Sequence, residues 1–173
     1  MLTPLQEKAA AIAGTVLADK DYGLAGGDAL ISQGLVDRRT NDLDYFGAPG
    51  EVMREQLPAL RAAPADEGFD VDIRRESPTF VRLSVYGLGS ETEIDLAVDA
   101  RLFPLRPGVT GPVLADEELA VDKVLAIFGR AEPRDLVDLA ALLEHFDLQD
   151  YFKLAVQKDP GFTQRSSPPW PSE

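Results

Sequence analysis

The chain has 173 residues, 45% of them hydrophobic, enough to bury the core of one small domain. It contains no cysteine, which excludes disulfides, thiolate zinc sites and a cysteine nucleophile. Its 30 Asp and Glu against 17 Lys and Arg give a net charge of -13, which argues against generic nucleic-acid binding through a broad basic surface.

Leu5, Ala9, Ile12 and Val16 recur at helical spacing and predict an amphipathic helix over 5–17, with Thr3 as N-cap and Pro4 as its first residue. A short strand over 22–25 then ends in Gly26-Gly27, a brief helix covers 28–35, and 42–46 return as a second strand. After Gly47-Ala48-Pro49-Gly50 a helix is expected over 51–63, interrupted or tightened near Pro58. Three strands follow, at 69–74, 79–86 and 91–98, the last two joined by a hairpin turn at Gly87-Leu88-Gly89-Ser90. The Gly- and Pro-containing link 103–112 divides this sheet from a helical part. Its helices are expected over 117–128, from Glu132-Pro133 through His145, and over 148–158 with Asp147 as cap. The organisation is thus a single domain over 1–160, with a sheet-containing core at 1–103, a helical part at 113–160 and a polar, proline-rich tail at 161–173 expected to be disordered. No apolar run approaches the ~20 residues of a membrane span, and Met1-Leu2-Thr3-Pro4 lacks a signal pattern, so a cytoplasmic location is expected.

Chemistry concentrates near the diglycine. On a strand, alternate side chains share a face, so Asp42 and Asp44 lie side by side, roughly 6 to 7 Å apart, while Leu43 points into the core. Two neighbouring carboxylates suit Mg²⁺, or Mn²⁺, completed by phosphate oxygens, and the single histidine, His145, leaves oxygen as the metal donor. His145 itself reads as a helix-end cation rather than a general base. Gly26 and Gly27 let backbone N-H groups approach a phosphate, or simply form a strand-to-helix turn. Asp95 on a predicted neighbouring strand is the candidate third carboxylate. Asp70 and Asp72 have the same spacing as Asp42 and Asp44 but no glycine pair before them, and read as solvent-facing. Arg38, Arg39, Arg74, Arg75, Lys123, Arg130 and Arg134 are the cations from which a local basic patch would be built, or they are solvated singly.

Four segments in order carry a family resemblance: Gly26-Gly27-Asp28-Ala29-Leu30, Arg38-Arg39-Thr40-Asn41-Asp42-Leu43-Asp44, Ala120-Val121-Asp122-Lys123 and Arg134-Asp135-Leu136-Val137-Asp138. They resemble the motifs of the AbiEii/AbiGii toxins, which include the mycobacterial MenT toxins and belong to the DNA polymerase β-like nucleotidyltransferases. The resemblance implies an α+β fold: a polymerase β-like core with a mixed, twisted sheet flanked by helices, plus a C-terminal helical part. It implies a metal-dependent enzyme moving a nucleoside monophosphate from an NTP to an acceptor hydroxyl, the 3′ end of tRNA, as the toxin partnered by an antitoxin. Asp42 and Asp44 would bind metal, with Asp95 or Asp138 assisting as ligand or acceptor base. Gly26, Gly27 and Thr40 would hold phosphates, and Lys123 would offset charge developing on a phosphate oxygen.

Each assignment has a plainer counterpart. Lys123 would otherwise be a surface lysine, Thr40 a β-branched residue at a strand entrance, and Asp135 a first-turn carboxylate favoured by the helix dipole or paired with Arg130 or Arg134. At the level of function, the same chemistry directed at a protein or at a small molecule such as an aminoglycoside stays open, as does a non-catalytic nucleotide- or partner-binding scaffold.

Overall fold

The computed structural model describes residues 1–51, 53–130, 132–143 and 147–162. They form two compact units, 1–115 and 116 onward. The fold is α+β, as expected.

The first unit is a seven-stranded mixed sheet with helices. Helix α1 (Pro4–Val16) opens with a capping box: the Thr3 hydroxyl accepts from the Gln6 amide at 3.2 Å, and the Gln6 side chain accepts from the Thr3 amide at 2.8 Å. Strand β1 (Tyr22–Leu24) leads directly into α2 (Gly26–Ser32), followed by β2 (Asp42–Gly47) and α3 (Met53–Asp66). Strands β3 (Asp70–Ser77), β4 (Phe80–Gly87) and β5 (Ser90–Val98) form a meander. Two short strands, β6 (Arg106–Gly108) and β7 (Gly111–Val113), complete the order β3-β4-β5-β2-β1-β7-β6. β2 runs parallel to β5 and β1 parallel to β7; the other neighbours are antiparallel.

Several boundaries differ from the sequence expectation. The link at 103–112 is not a plain connection: it carries most of the β6-β7 hairpin, because β1 offers an open edge to which Val113 pairs opposite Leu24. Helix α3 passes unbroken through Pro58 and Pro64; its buried Met53, Gln56, Leu57 and Leu60 keep one face packed where proline removes a backbone donor. Helix α2 begins at Gly26, two residues earlier than expected. The expected hairpin turn is present, with positive φ at Leu88 (52°) and Gly89 (73°), the signature of a turn whose twist matches its strands.

Alternation sorts the sheet into two faces. Leu43 and Tyr45 of β2, Val81, Leu83 and Val85 of β4, and Ile94 and Leu96 of β5 are all buried. They meet α1 and α3, and the Tyr45 hydroxyl donates to the Ala10 carbonyl of α1 at 3.2 Å. Because this face is closed by apolar packing, the intervening residues of the same strands are left to carry polar chemistry.

The second unit contains α4 (Asp116–Gly129), α5 (Pro133–Leu142) and α6 (Leu148–Lys158), with α4 contacting both of the others. Asp147 caps α6 as expected, accepting from the Gln149 amide at 2.8 Å. The tail expected to be disordered from 161 is ordered at its start: Phe162 is buried and meets Phe128 edge-on at 5.2 Å and Phe152 at 6.0 Å between ring centroids. His145, Trp170 and the remainder of that tail, 163–173, lie outside the described residues. Among the described residues no helix is long and apolar enough to cross a membrane.

Candidate active site

The polar face of the sheet is organised in rows. Strand register sets Asp44 beside Asp95, Asp95 beside Arg82 and Arg82 beside Arg75, a row across β2, β5, β4 and β3. The adjoining row is Asp42, Glu93, Ser84 and Asp72. Asp42 and Asp44 are half-buried, and Leu43 between them is fully buried, which is the alternation expected of β2. Asp70 and Asp72 are exposed, also as expected.

Asp44 is held by its backbone at both ends. Its N-H donates to Asp28 Oδ2 at 3.1 Å and its carbonyl accepts from the Ala25 amide at 2.7 Å, so the start of α2 clasps β2 where β1 has ended. Asp28 is completely buried, and its Oδ1 has no hydrogen-bond partner among the described residues. Burial first, and then the nearby Asp44 charge, push the Asp28 carboxyl well above the usual carboxylate range, which favours the uncharged acid.

The diglycine has a packing reason of its own. Gly26 has φ +62°, and a Cβ there would collide with Asp44 Oδ2; a Cβ at Gly27 would collide with the Arg38 guanidinium. The pair therefore leaves room for one carboxylate and one guanidinium of the same chain. Thr40 is buried and donates its hydroxyl to Asp42 Oδ1 at 2.8 Å, while the Gln6 side chain donates to the Thr40 carbonyl at 2.9 Å. Gly26, Gly27, Thr40, Asp42 and Asp44 thus converge at one end of β2.

Asp95 shares the face but is already engaged. Arg82 Nε donates to Asp95 Oδ1 at 2.7 Å and Nη2 to Oδ2 at 2.6 Å, while Nη1 lies 3.1 Å from Glu93 Oε2. The hydrogen bond to Asp95 is the largest influence holding the Arg82 guanidinium charged, more firmly than an ordinary arginine. No group of three acidic or histidine side chains is arranged to hold a metal among the described residues. The donors that do lie together, two half-buried carboxylates beside a helix start, match the sparse protein share of a magnesium site whose other ligands are phosphate oxygens and water.

Lys123 and Asp138 belong to the helical unit, where they meet each other. Lys123 is 5% exposed, and its ammonium lies 2.7 Å from Asp138 Oδ2 and 3.1 Å from Asp135 Oδ1. Arg130 forks onto Asp135 at 2.9 and 3.1 Å. Both aspartates are fully buried, so Lys123 is not the surface lysine of the plainer reading, whereas Asp135 is, as that reading has it, a first-turn residue of α5 paired with Arg130. Burial raises the Asp135 carboxyl, but the hydrogen bonds and charges of Arg130 and Lys123 outweigh it and leave the group below its ordinary value.

Two residues of this architecture escaped sequence reasoning. Arg82 carried a signal, an odd cation on an alternating strand, but its partner depended on strand register. Asp28 stands inside the first motif, but nothing in the sequence alone gives it a role.

The model of the nucleotidyl transferase AbiEii toxin family, a type IV toxin–antitoxin family, matches residues 14–160. The chain belongs to that family. It is accordingly a nucleotidyltransferase of the toxin–antitoxin class. No curated protein matches it. Solved structures share the fold. MenT4, a nucleotidyltransferase toxin from Mycobacterium tuberculosis H37Rv, is 20% identical with a TM-score of 0.64, over 98% of this chain and 69% of that one. A putative nucleotidyltransferase from H. pylori is 24% identical with a TM-score of 0.62, over 89% and 78%. The antibiotic-resistance factor ANT(2″)-Ia is 12% identical with a TM-score of 0.62, over 92% and 94%.

Proposed function

We propose that this AbiEii-family chain transfers a nucleoside monophosphate from an NTP to an acceptor hydroxyl in a divalent-metal-dependent reaction, with the 3′ end of tRNA as acceptor and a cognate antitoxin as partner. The observation that carries the reading is the pair Asp42 and Asp44, half-buried on one face of β2 and clasped to the diglycine that opens α2.

In this reading the acceptor oxygen forms a bond to the α-phosphorus as the bond to the β-phosphate oxygen breaks, and pyrophosphate leaves. Asp42 and Asp44 would hold Mg²⁺ or Mn²⁺, which when bound supplies Lewis-acid stabilisation of phosphoryl oxygens. Thr40 orients Asp42 through its 2.8 Å hydrogen bond, and Asp28 fixes the Asp44 backbone. The amide end of α2 at Gly26 and Gly27 is the element proposed to meet phosphate. Lys123 is proposed as counter-charge to phosphate, with Asp95 or Asp138 as third ligand or as acceptor of the hydroxyl proton. The type IV toxin–antitoxin class of the family supports the antitoxin partner.

A second acceptor class has an observation in its favour. The chain carries a net charge of -13, which suits a cationic small molecule. Incubation of the protein with each labelled NTP, Mg²⁺ and total tRNA, with and without Asp44→Ala, tests the proposal. Label on tRNA that is lost in the variant is expected; NTP binding without label on RNA would redirect the search to another acceptor.

A further inference from the structure

The Arg82–Asp95 pair stands out because it places a fixed cation inside an acidic face. Asp95 lies in register between Asp44 on one side and Arg82 on the other, and neighbouring strands run about 4.8 Å apart. Both Asp95 oxygens accept from the guanidinium, at 2.7 and 2.6 Å, and the third nitrogen reaches Glu93 at 3.1 Å. The Asp95 side chain is only 8% exposed, whereas that of Arg82 is 37% exposed. The guanidinium carbon also lies 5.8 Å from the centre of the Phe80 ring, a cation–π contact on the same group. A bidentate fork of this kind takes a lone pair on each carboxylate oxygen and so competes with a chelated cation for Asp95.

We infer that Arg82 is a positioning residue that serves as the resting counter-ion of the Asp42, Asp44 and Asp95 face and holds its affinity for a free divalent cation low. The inference rests on the metal reading above and names a residue that this reading does not use. Two effects act together. Asp95 is withheld from chelation, and a permanent positive charge sits one strand beyond it, where it repels a cation approaching Asp44. An NTP changes the balance, because its phosphates bring both negative charge and oxygen ligands. The protein therefore takes its cation together with the nucleotide rather than beforehand.

The test is Mn²⁺ binding to the nucleotide-free protein, read by the electron paramagnetic resonance of free Mn²⁺. Arg82→Gln is expected to bind Mn²⁺ about tenfold more tightly than wild type, since it removes both effects. Adding Asp95→Asn to Arg82→Gln is expected to cancel most of the gain, and Arg82→Lys, which keeps the charge without the fork, is expected to fall between. Mn²⁺ should also raise the Tm of Arg82→Gln more than that of wild type, a comparison within each protein that stays valid if the variant starts out less stable. Equal or weaker Mn²⁺ binding by Arg82→Gln would overturn the inference, as would a smaller Mn²⁺-induced rise in Tm. Asp42→Asn/Asp44→Asn separates the two levels. If it loses Mn²⁺ while Arg82→Gln matches wild type, only the counter-ion role fails; if it binds Mn²⁺ as wild type does, the metal reading fails and this inference with it.

Discussion

Asp44 lies so close over Gly26 that its carboxylate occupies the space a Cβ at residue 26 would need. The relationship joins the first two sequence motifs into one object, since the glycine must be bare for the aspartate to stand where it does. Gly26→Ala meets both the left-handed backbone, φ +62°, and this collision, and should cost about 2 kcal/mol or more. Gly27→Ala meets only the flexible end of Arg38, without a positive φ, so its cost should be small. Urea unfolding of the two variants checks the order; equal costs would contradict it.

Asp28 should tolerate Asn and not Ala. Asparagine retains a carbonyl to accept from the Asp44 amide, the bond seen at 3.1 Å, and needs no charge in a fully buried position. Asp28→Asn is expected within about 1 kcal/mol of wild type, and Asp28→Ala to lose about 2 kcal/mol by stranding a buried amide. A larger loss for Asn than for Ala would show that the carboxyl itself is required.

The helical unit should weaken in acid through Asp135. Its carboxyl lies below the ordinary value in the folded chain and near about 3.9 when unfolded. Its contribution is therefore fully present above about pH 4 and is lost as pH falls through the folded value. Asp135→Asn should cost about 3 kcal/mol at pH 7, because Lys123 and Arg130 lose a buried partner. The gap between wild type and variant should shrink below pH 4; a gap independent of pH would contradict the assignment.

Leu88 adopts φ 52° in the β4–β5 turn with its side chain 62% exposed, so it pays for a conformation without packing in return. Leu88→Asn, ahead of Gly89, should raise stability by about 0.5 to 1 kcal/mol. An unchanged or lower Tm would contradict this.

Much of this architecture was legible from local rules. Thr3 and Asp147 cap helices where their hydroxyl and carboxylate fit the first turn, and the alternation of Asp42, Leu43 and Asp44 set the polar and apolar faces of β2. What local rules missed depends on contacts between segments distant in sequence. β6 and β7 formed because β1 offered an edge, α3 ran past Pro58 because its buried face was held, and Arg82 found Asp95 only once β4 and β5 were in register. Lys123 illustrates the same limit: its helix was readable, but its burial against Asp135 and Asp138 follows from how α5 packs on α4.

Whether Asp42 and Asp44 hold the divalent cation of a nucleotidyl transfer is read by following the α-phosphate. Wild type, Asp42→Asn and Asp44→Asn would each be incubated with α-labelled NTPs and total tRNA over a Mg²⁺ titration, after confirming equal Tm. Mg²⁺-dependent label on RNA with pyrophosphate release is expected for wild type, and a fall of about 100-fold or more for either folded variant. Label transfer that proceeds at the wild-type rate in both variants would contradict it.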